Sequence, residues 1–151
     1  MNKIRKILVP LDFSENSRVA LDWAMSIANK LGAKVILFHA METSDFIKEL
    51  AEQEDDVLSR VKSGAAMQLQ QFADKYNDKK ISVAASIDEG KPFVKIIEAA
   101  KSYDVDLIVM GTHGRTGLRQ TLIGSVAEKV VRKAPCPVMT VKHPDYKFEL
   151  S

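Results

Sequence analysis

Val105–Val131 reads VDLIVMGTHGRTGLRQTLIGSVAEKVV, and its punctuation decides the fold. A short apolar run, Leu107 to Met110, stops at Gly111, and Gly114 follows three residues later. After nine intervening residues, Gly124-Ser125 opens a segment whose Val126, Val130, Val131 and Ala134 have helical spacing. The layout is strand, glycine-rich loop, helix N-terminus. Glycines admit positive φ and let bare backbone N–H groups approach a ligand. A helix start adds unpaired donors and the positive end of the macrodipole. Ser125 is placed either to cap that helix or to bind a phosphate oxygen. The segment is a candidate anion cradle, with phosphate as the anion.

Working outward, Ile4 to Val9 is an apolar run stopped by Pro10 and reads as a buried strand. Asp12-Phe13-Ser14 then supplies capping chemistry. Ala20, Trp23, Ala24, Ile27, Ala28 and Leu31 repeat at three and four, predicting a helix from Glu15 that Gly32 ends and in which Trp23 is core. Val35 to Ala40 is a second, nearly continuous apolar strand, as expected in a parallel sheet covered on both faces. Residues 41–55 are polar and acidic and predict a mobile loop with a short helical turn. A longer helix is expected from Asp56 to about Lys79, a strand over Ile81–Ile87, and a turn at Asp88-Glu89-Gly90. Pro92, Phe93, Ile96, Ile97 and Ala100 mark another helix. A strand over Val105–Met110 precedes the cradle, and Pro135-Cys136-Pro137 separates the last helix from a fifth strand, Val138 to Val141. Residues 144–151 form a polar tail.

Strands and helices alternating in this way imply right-handed crossovers. The expected fold is a single-domain α/β/α sandwich over residues 1–151 with an open five-stranded parallel sheet, Rossmann-like in plan. In such sheets ligands bind beyond the carboxyl ends of the strands, where strand order reverses. That rule gathers Pro10 to Ser14, His39 to Met41 and Gly111 to Ser125 into one site.

Composition narrows the function. The chain has 151 residues, enough to bury about 70% of its unfolded surface as one domain. A formal charge of +2, from 22 basic and 20 acidic residues, argues against a dedicated nucleic-acid binder. The single cysteine, Cys136, excludes an intrachain disulfide framework and suits a reducing compartment. The apolar part of the N-terminus is too short for a signal sequence, and no apolar stretch approaches the ~20 residues of a membrane span. A soluble cytoplasmic domain without membrane partners is expected.

Other phosphate-binding signatures fail. After Gly111 there is no Gly-Lys pair for a Walker A loop, and no glycine two residues on for a dinucleotide fingerprint. The first loop, PLDFSENS, lacks the serine-glycine-glycine pattern of ATP pyrophosphatases. What the chain carries is Gly111-x-x-Gly114, nine residues, then Gly124-Ser125. With this spacing it resembles the ATP-binding branch of the universal stress protein family. The resemblance extends over ILVPLDFSENS, VILFHA, DLIVMGTHGRTG and LIGSVAEKVVRKAPCPVMTV, in order.

The resemblance implies an adenine nucleotide alpha hydrolase-like fold, with ATP, or AMP or ADP, as ligand, and Mg2+ or Mn2+ accompanying the nucleotide. Pro10 and Asp12 would lie at the nucleotide, Asp12 near the ribose or a metal bridging the phosphates. Ala40 would meet adenine through its backbone. Met110 would end the strand under ribose or adenine, and Gly111, Thr112, His113 and Gly114 would surround ribose and phosphates. Gly124, Ser125 and Val126 would donate hydrogen bonds to the phosphates. The fifth strand, Val138 to Val141, would pair across a two-fold axis into a homodimer.

Plainer readings stand beside these. Asp12 also suits a capping role, compatible with ligand contact. His39, His113 and His143 lack the spacing of a zinc site. His39 is expected as a buried polar group at a strand end, and His113 as a loop hydrogen-bonding residue rather than a general base. Arg115 can reach a terminal phosphate with its guanidinium fork, whereas Arg119, Lys129, Arg132 and Lys133 read as a solvated face. Three functions remain: a dimeric nucleotide-dependent stress-response regulator, a low-turnover ATPase or phosphoryl-transfer enzyme, and a nucleotide-free dimerisation domain. The glycines and Ser125 argue against the third.

Overall fold

The computed structural model describes residues 2–77, 80–113 and 123–145. Ten elements follow in order: β1 (Lys6–Pro10), α1 (Glu15–Leu31), β2 (Lys34–Met41), α2 (Asp45–Gln53), α3 (Val57–Tyr76), β3 (Val83–Glu89), α4 (Pro92–Ser102), β4 (Leu107–Gly111), α5 (Ser125–Lys133) and β5 (Val138–Val141). The strands form one parallel sheet in the order β3-β2-β1-β4-β5. This is the α/β Rossmann-like plan expected from the alternation of strands and helices.

β1 is central because neither face of it can meet water. Ile7, Leu8 and Val9 are each fully buried. In register, Leu8 lies between Ile36 of β2 and Ile108 of β4, and Ile7 lies between Val35 and Leu107. Period-two alternation sends these two triplets to opposite faces. On one face Ile7, Val9, Val35, Leu37, Leu107 and Val109 meet α1 and α3, through Ala20, Leu21, Ala24, Ala28, Leu69 and Ala73. On the other, Leu8, Ile36, Phe38, Ile108 and Met110 meet α4 and α5, through Ile96, Ala99, Ala100, Ala127 and Val130. Each such aliphatic residue contributes about 1.5–3 kcal/mol on burial.

Three expectations are corrected. Trp23 is 53% exposed rather than core. The buried stripe of α1 consists mainly of alanines, which bring the helix close to the sheet, and Trp23 lies about a third of a turn from its centre. Residues 45–53 form a helix, not a mobile loop. Its start was encoded: Ser44 Oγ accepts the Ile47 N–H at 3.3 Å, and Asp45 occupies the first turn. β3 runs through Glu89, so the turn begins at Gly90, whose N–H donates to Met41 O at 3.0 Å. The helix expected at Val126, Val130 and Val131 is present as α5, in which Val130 is buried and Val131 is 48% exposed. Among the described residues, no helix is long and apolar enough to cross a membrane.

Candidate functional site

The chain runs from β1 outward to β2 and β3, then returns to place β4 on the other side of β1. The crevice created by this reversal lies at the carboxyl ends of β1 and β4. Pro10 ends β1 opposite Phe38, and the Leu11 N–H donates to Phe38 O at 2.8 Å. The next three residues turn sharply. Asp12 Oδ1 accepts the Ser14 N–H at 2.9 Å, and Ser14 Oγ accepts the Ser17 N–H at 3.2 Å, capping α1. Asp12 is thus a turn-forming residue, half-buried at the crevice rim.

Between them, Phe13 has φ of 64°, a left-handed conformation costing a side-chain-bearing residue about 1–2 kcal/mol. Its ring is held against His39 and Phe72, with centroids 4.7 and 6.0 Å away. His39 is buried at the end of β2, as expected, and its Nδ1 donates to Leu11 O at 2.6 Å. A carbonyl only accepts, so Nδ1 carries the proton. This bond ties the turn after β1 to the end of β2, where Ala40 is half-buried.

The end of β4 is built by close backbone approach. Met110 is buried in the core on the α4 and α5 side. Gly111 is tightly packed: a Cβ there would lie 3.1 Å from Asn16 O and 3.2 Å from Asn16 C, in the first turn of α1, so that turn would have to give by a few tenths of an ångström. Thr112 is buried; its N–H donates to Val141 O at 3.0 Å, and its carbonyl accepts the Gly124 N–H at 2.6 Å. Thr112 Oγ1 and His113 Nδ1 are 3.0 Å apart. Gly124 has φ of −72° and ψ of 161°, and a Cβ on it would lie 3.0 Å from Thr112 O. Neither glycine serves a positive φ; each keeps a Cβ away from neighbouring backbone. Gly124 is the N-cap of α5 and Ser125 its first helical residue, so the Ser125 hydroxyl is not the cap. The first intrahelical bond runs from the Glu128 N–H to Gly124 O, leaving the Ser125, Val126 and Ala127 N–H groups without helical acceptors.

The structure therefore brings Pro10, Asp12, Ala40, Gly111, Thr112, His113, Gly124, Ser125 and Val126 to one end of the sheet, with Met110 beneath. Gly114 and Arg115 lie outside the described residues. Residues 3–142 match the family model described as the Universal stress protein family. The chain belongs to this family. It is 35% identical to the universal stress protein MJ0531 of Methanocaldococcus jannaschii, over 95% of this chain and 85% of that protein. The solved structure of MJ0577 is similar at 32% identity and a TM-score of 0.83, covering 95% and 99% of the two chains. A universal stress protein family member from Arabidopsis thaliana, solved with AMP bound, shares the fold at 20% identity and a TM-score of 0.61, over 93% of each chain.

In this universal stress protein, sequence reasoning placed Phe13 in the gathered segment but missed its left-handed backbone, and it missed Asn16, whose backbone crowds Gly111. Nothing local marks either one. Asp12 can hold a divalent cation only in company, since among the described residues no three His, Cys, Asp or Glu side chains cluster. One carboxylate plus phosphate oxygens is a suitable donor set for Mg2+, which favours phosphate-bridged sites. Burial, and then the charge of Asp106, push the Cys136 thiol above its ordinary value, which disfavours the thiolate. A shallow hollow of about 670 Å3 between the last turns of α1 and α3 is lined by Met25, Asn29, Tyr76 and Lys80. It adjoins Ile81, at the amino end of β3, and is remote from the crevice.

Proposed function

We propose that this universal stress protein binds an adenine nucleotide, ATP or else AMP or ADP, in the crevice. Its loaded homodimer acts as a cytoplasmic regulator of the stress response, with residues 1–151 as one domain. The observation that carries the reading is the Gly124 N–H to Thr112 O bond, which holds the α5 N-terminus against the end of β4. Three N–H donors and the helix dipole are then directed to the place where phosphates would sit. Ser125, exposed and not engaged as a cap, has its hydroxyl available to a phosphate oxygen. Gly111, Thr112 and His113 flank the ribose, and Gly114 and Arg115, outside the described residues, are assigned to the phosphates by the family resemblance. Asp12 faces the ribose or a Mg2+ or Mn2+ ion carried by the nucleotide, and Pro10 and Met110 supply apolar contact. The backbone of Ala40 meets the adenine, so the identity of its side chain matters little. The AMP bound to the Arabidopsis protein agrees with this ligand class, at an identity that speaks for the fold alone.

Isothermal titration with Mg-ATP tests the reading, and saturable binding near one nucleotide per chain is the expected result. No heat at millimolar nucleotide, from protein first stripped of any nucleotide detected by native mass spectrometry, overturns it. The same site serves the low-turnover ATPase alternative, which requires phosphate release that Asp12→Ala abolishes while the fold is kept.

A further inference from the structure

The hollow between α1 and α3 follows from how these helices share one face of the sheet. α1 packs chiefly over β4 and α3 chiefly over β3, which leaves a groove between their last turns at the amino end. Its floor is apolar: Ile81, 6% exposed, and the half-buried Met25 and Tyr76 belong to the core on that face. The Tyr76 ring is held in place, because its hydroxyl donates to Asp22 Oδ1 at 2.9 Å, a bond that also engages that carboxylate. Burial, and then the Asp22 bond, push the Tyr76 phenol above its ordinary value, so it stays a neutral donor. Asp74, the one acidic residue of α3, accepts from Gln70 at 2.9 Å. The rim carries Lys75 and Lys80, with the Lys75 ammonium 5.6 Å from the Tyr76 ring centroid. Ser26 and Asn29 line it from α1, and among the described residues neither side chain has a hydrogen-bond partner. The volume of about 670 Å3 lies within the ~300–1,000 Å3 of small-molecule sites, which likewise combine apolar walls with a few convergent polar groups.

We propose that this hollow binds an amphipathic organic anion, an aromatic or alkyl body bearing one carboxylate or sulfonate, at a site separate from the nucleotide crevice. The body covers Met25, Ile81 and the Tyr76 ring, removing from water apolar surface that the two helices leave bare. The acid group meets the Lys75 and Lys80 ammonium groups in charge-assisted bonds, and Ser26 and Asn29 complete its hydrogen bonding. The sign and size of the ligand charge follow from the lining. It holds two lysines and no carboxylate, and the carboxyl ends of α1 and α3 each add about half a negative charge. A single anionic charge balances the remainder, whereas a cation is repelled. The hollow lies at the amino end of the sheet and the crevice at the carboxyl end, so the two ligands do not compete.

The probe is anilinonaphthalene sulfonate, titrated into the full chain and followed by its fluorescence, with and without excess Mg-ATP. The expected result is a saturable enhancement at one probe per chain, insensitive to Mg-ATP and reversed by decanoate. Lys75→Glu combined with Lys80→Glu should lower the affinity about tenfold or more. Lys129→Glu combined with Lys133→Glu, the same change of charge on the distant α5, should leave it unaltered. In the wild-type chain, the methyl NMR signals of Met25 and Ile81 should move with the probe, and that of Met110 beneath the crevice should stay. Displacement of the probe by Mg-ATP overturns the inference, because the probe then sits in the crevice. So does an affinity that responds to both double variants alike or to neither, and so do Met25 and Ile81 signals that do not move.

Discussion

The two ends of the sheet solve the same problem by different means. At each end the chain must leave a helix or strand and turn back without stranding polar backbone. At the amino end, Gly32 closes α1 with φ of 67°, nothing lies within 4 Å of where its Cβ would be, and the Ala33 N–H returns to Ala28 O at 3.1 Å. Its glycine answers a local dihedral requirement. At the carboxyl end, Gly111 and Gly124 have no unusual φ, yet each would drive a Cβ against backbone of another segment. Phe13 takes the left-handed conformation there, as Asp104 does at the amino end before β4. The amino end is therefore ordinary turn chemistry. The carboxyl end is a close backbone assembly of three loops, of the kind that presents N–H groups to a ligand.

The largest test of this contrast is Gly124→Val. A branched side chain at the α5 N-cap presses on Thr112 O and stands among the N–H donors that the proposed reading directs at phosphate. Nucleotide affinity should fall by about a hundredfold or more, measured by isothermal titration. Gly124→Ala, whose Cβ alone meets Thr112 O at 3.0 Å, should show a smaller loss and destabilise the fold by about 1 kcal/mol in urea. Unchanged affinity in both variants would mean that the close approach at Gly124 serves packing only.

Next in size is His39→Leu. The substitution keeps an apolar volume but leaves Leu11 O, in a buried residue, without its 2.6 Å donor. An orphaned buried carbonyl costs about 1–3 kcal/mol, to be read as a lower urea midpoint. The Phe13 turn should loosen with it, since the lost bond joins that turn to β2. If the midpoint does not move, the His39 bond is not what holds the turn.

How much of this was legible in the sequence follows from the range of each interaction. The apolar runs of β1, β2 and β4 and the alanine-rich stripe of α1 are local patterns, and they predict the element order and the location of the crevice. Asp12, Gly111 and Gly124 were legible as positions around the crevice, but the crowding at the glycines was not. Gly111 is crowded by the backbone of Asn16, far away in sequence, and no local pattern encodes such a contact. Trp23 misled because helical spacing alone cannot distinguish a core stripe from an apolar flank when the true stripe is made of alanines. α2 was legible in principle, through Ser44 and Asp45, but the polar composition of residues 41–55 obscured it.

Gly32→Ala isolates the dihedral cost. With open space around the new methyl group, only the left-handed φ of 67° is penalised, by about 1 kcal/mol. Nucleotide binding should be untouched, in contrast to Gly124→Ala, where stability and binding fall together. A binding defect in Gly32→Ala would erase the distinction between the two ends.

The smallest effect belongs to Asp106, at the amino end of β4. Its Oδ2 accepts the Arg5 N–H at 2.8 Å and the Lys6 N–H at 3.0 Å, tying the start of β1 to β4. The Arg5 and then the Lys6 backbone bonds hold its carboxyl below the ordinary aspartate value. A depressed carboxylate stabilises the fold above its unfolded-state pKa, and that contribution is lost as the pH falls through the lowered folded value. Asp106→Asn should therefore cost less than about 1 kcal/mol at neutral pH, the site being solvent-screened. In thermal melts, the gap between wild type and Asp106→Asn should close as the medium is acidified below the normal aspartate range. A gap that stays constant down to acid pH would show that the Asp106 charge contributes nothing beyond the geometry an asparagine can copy.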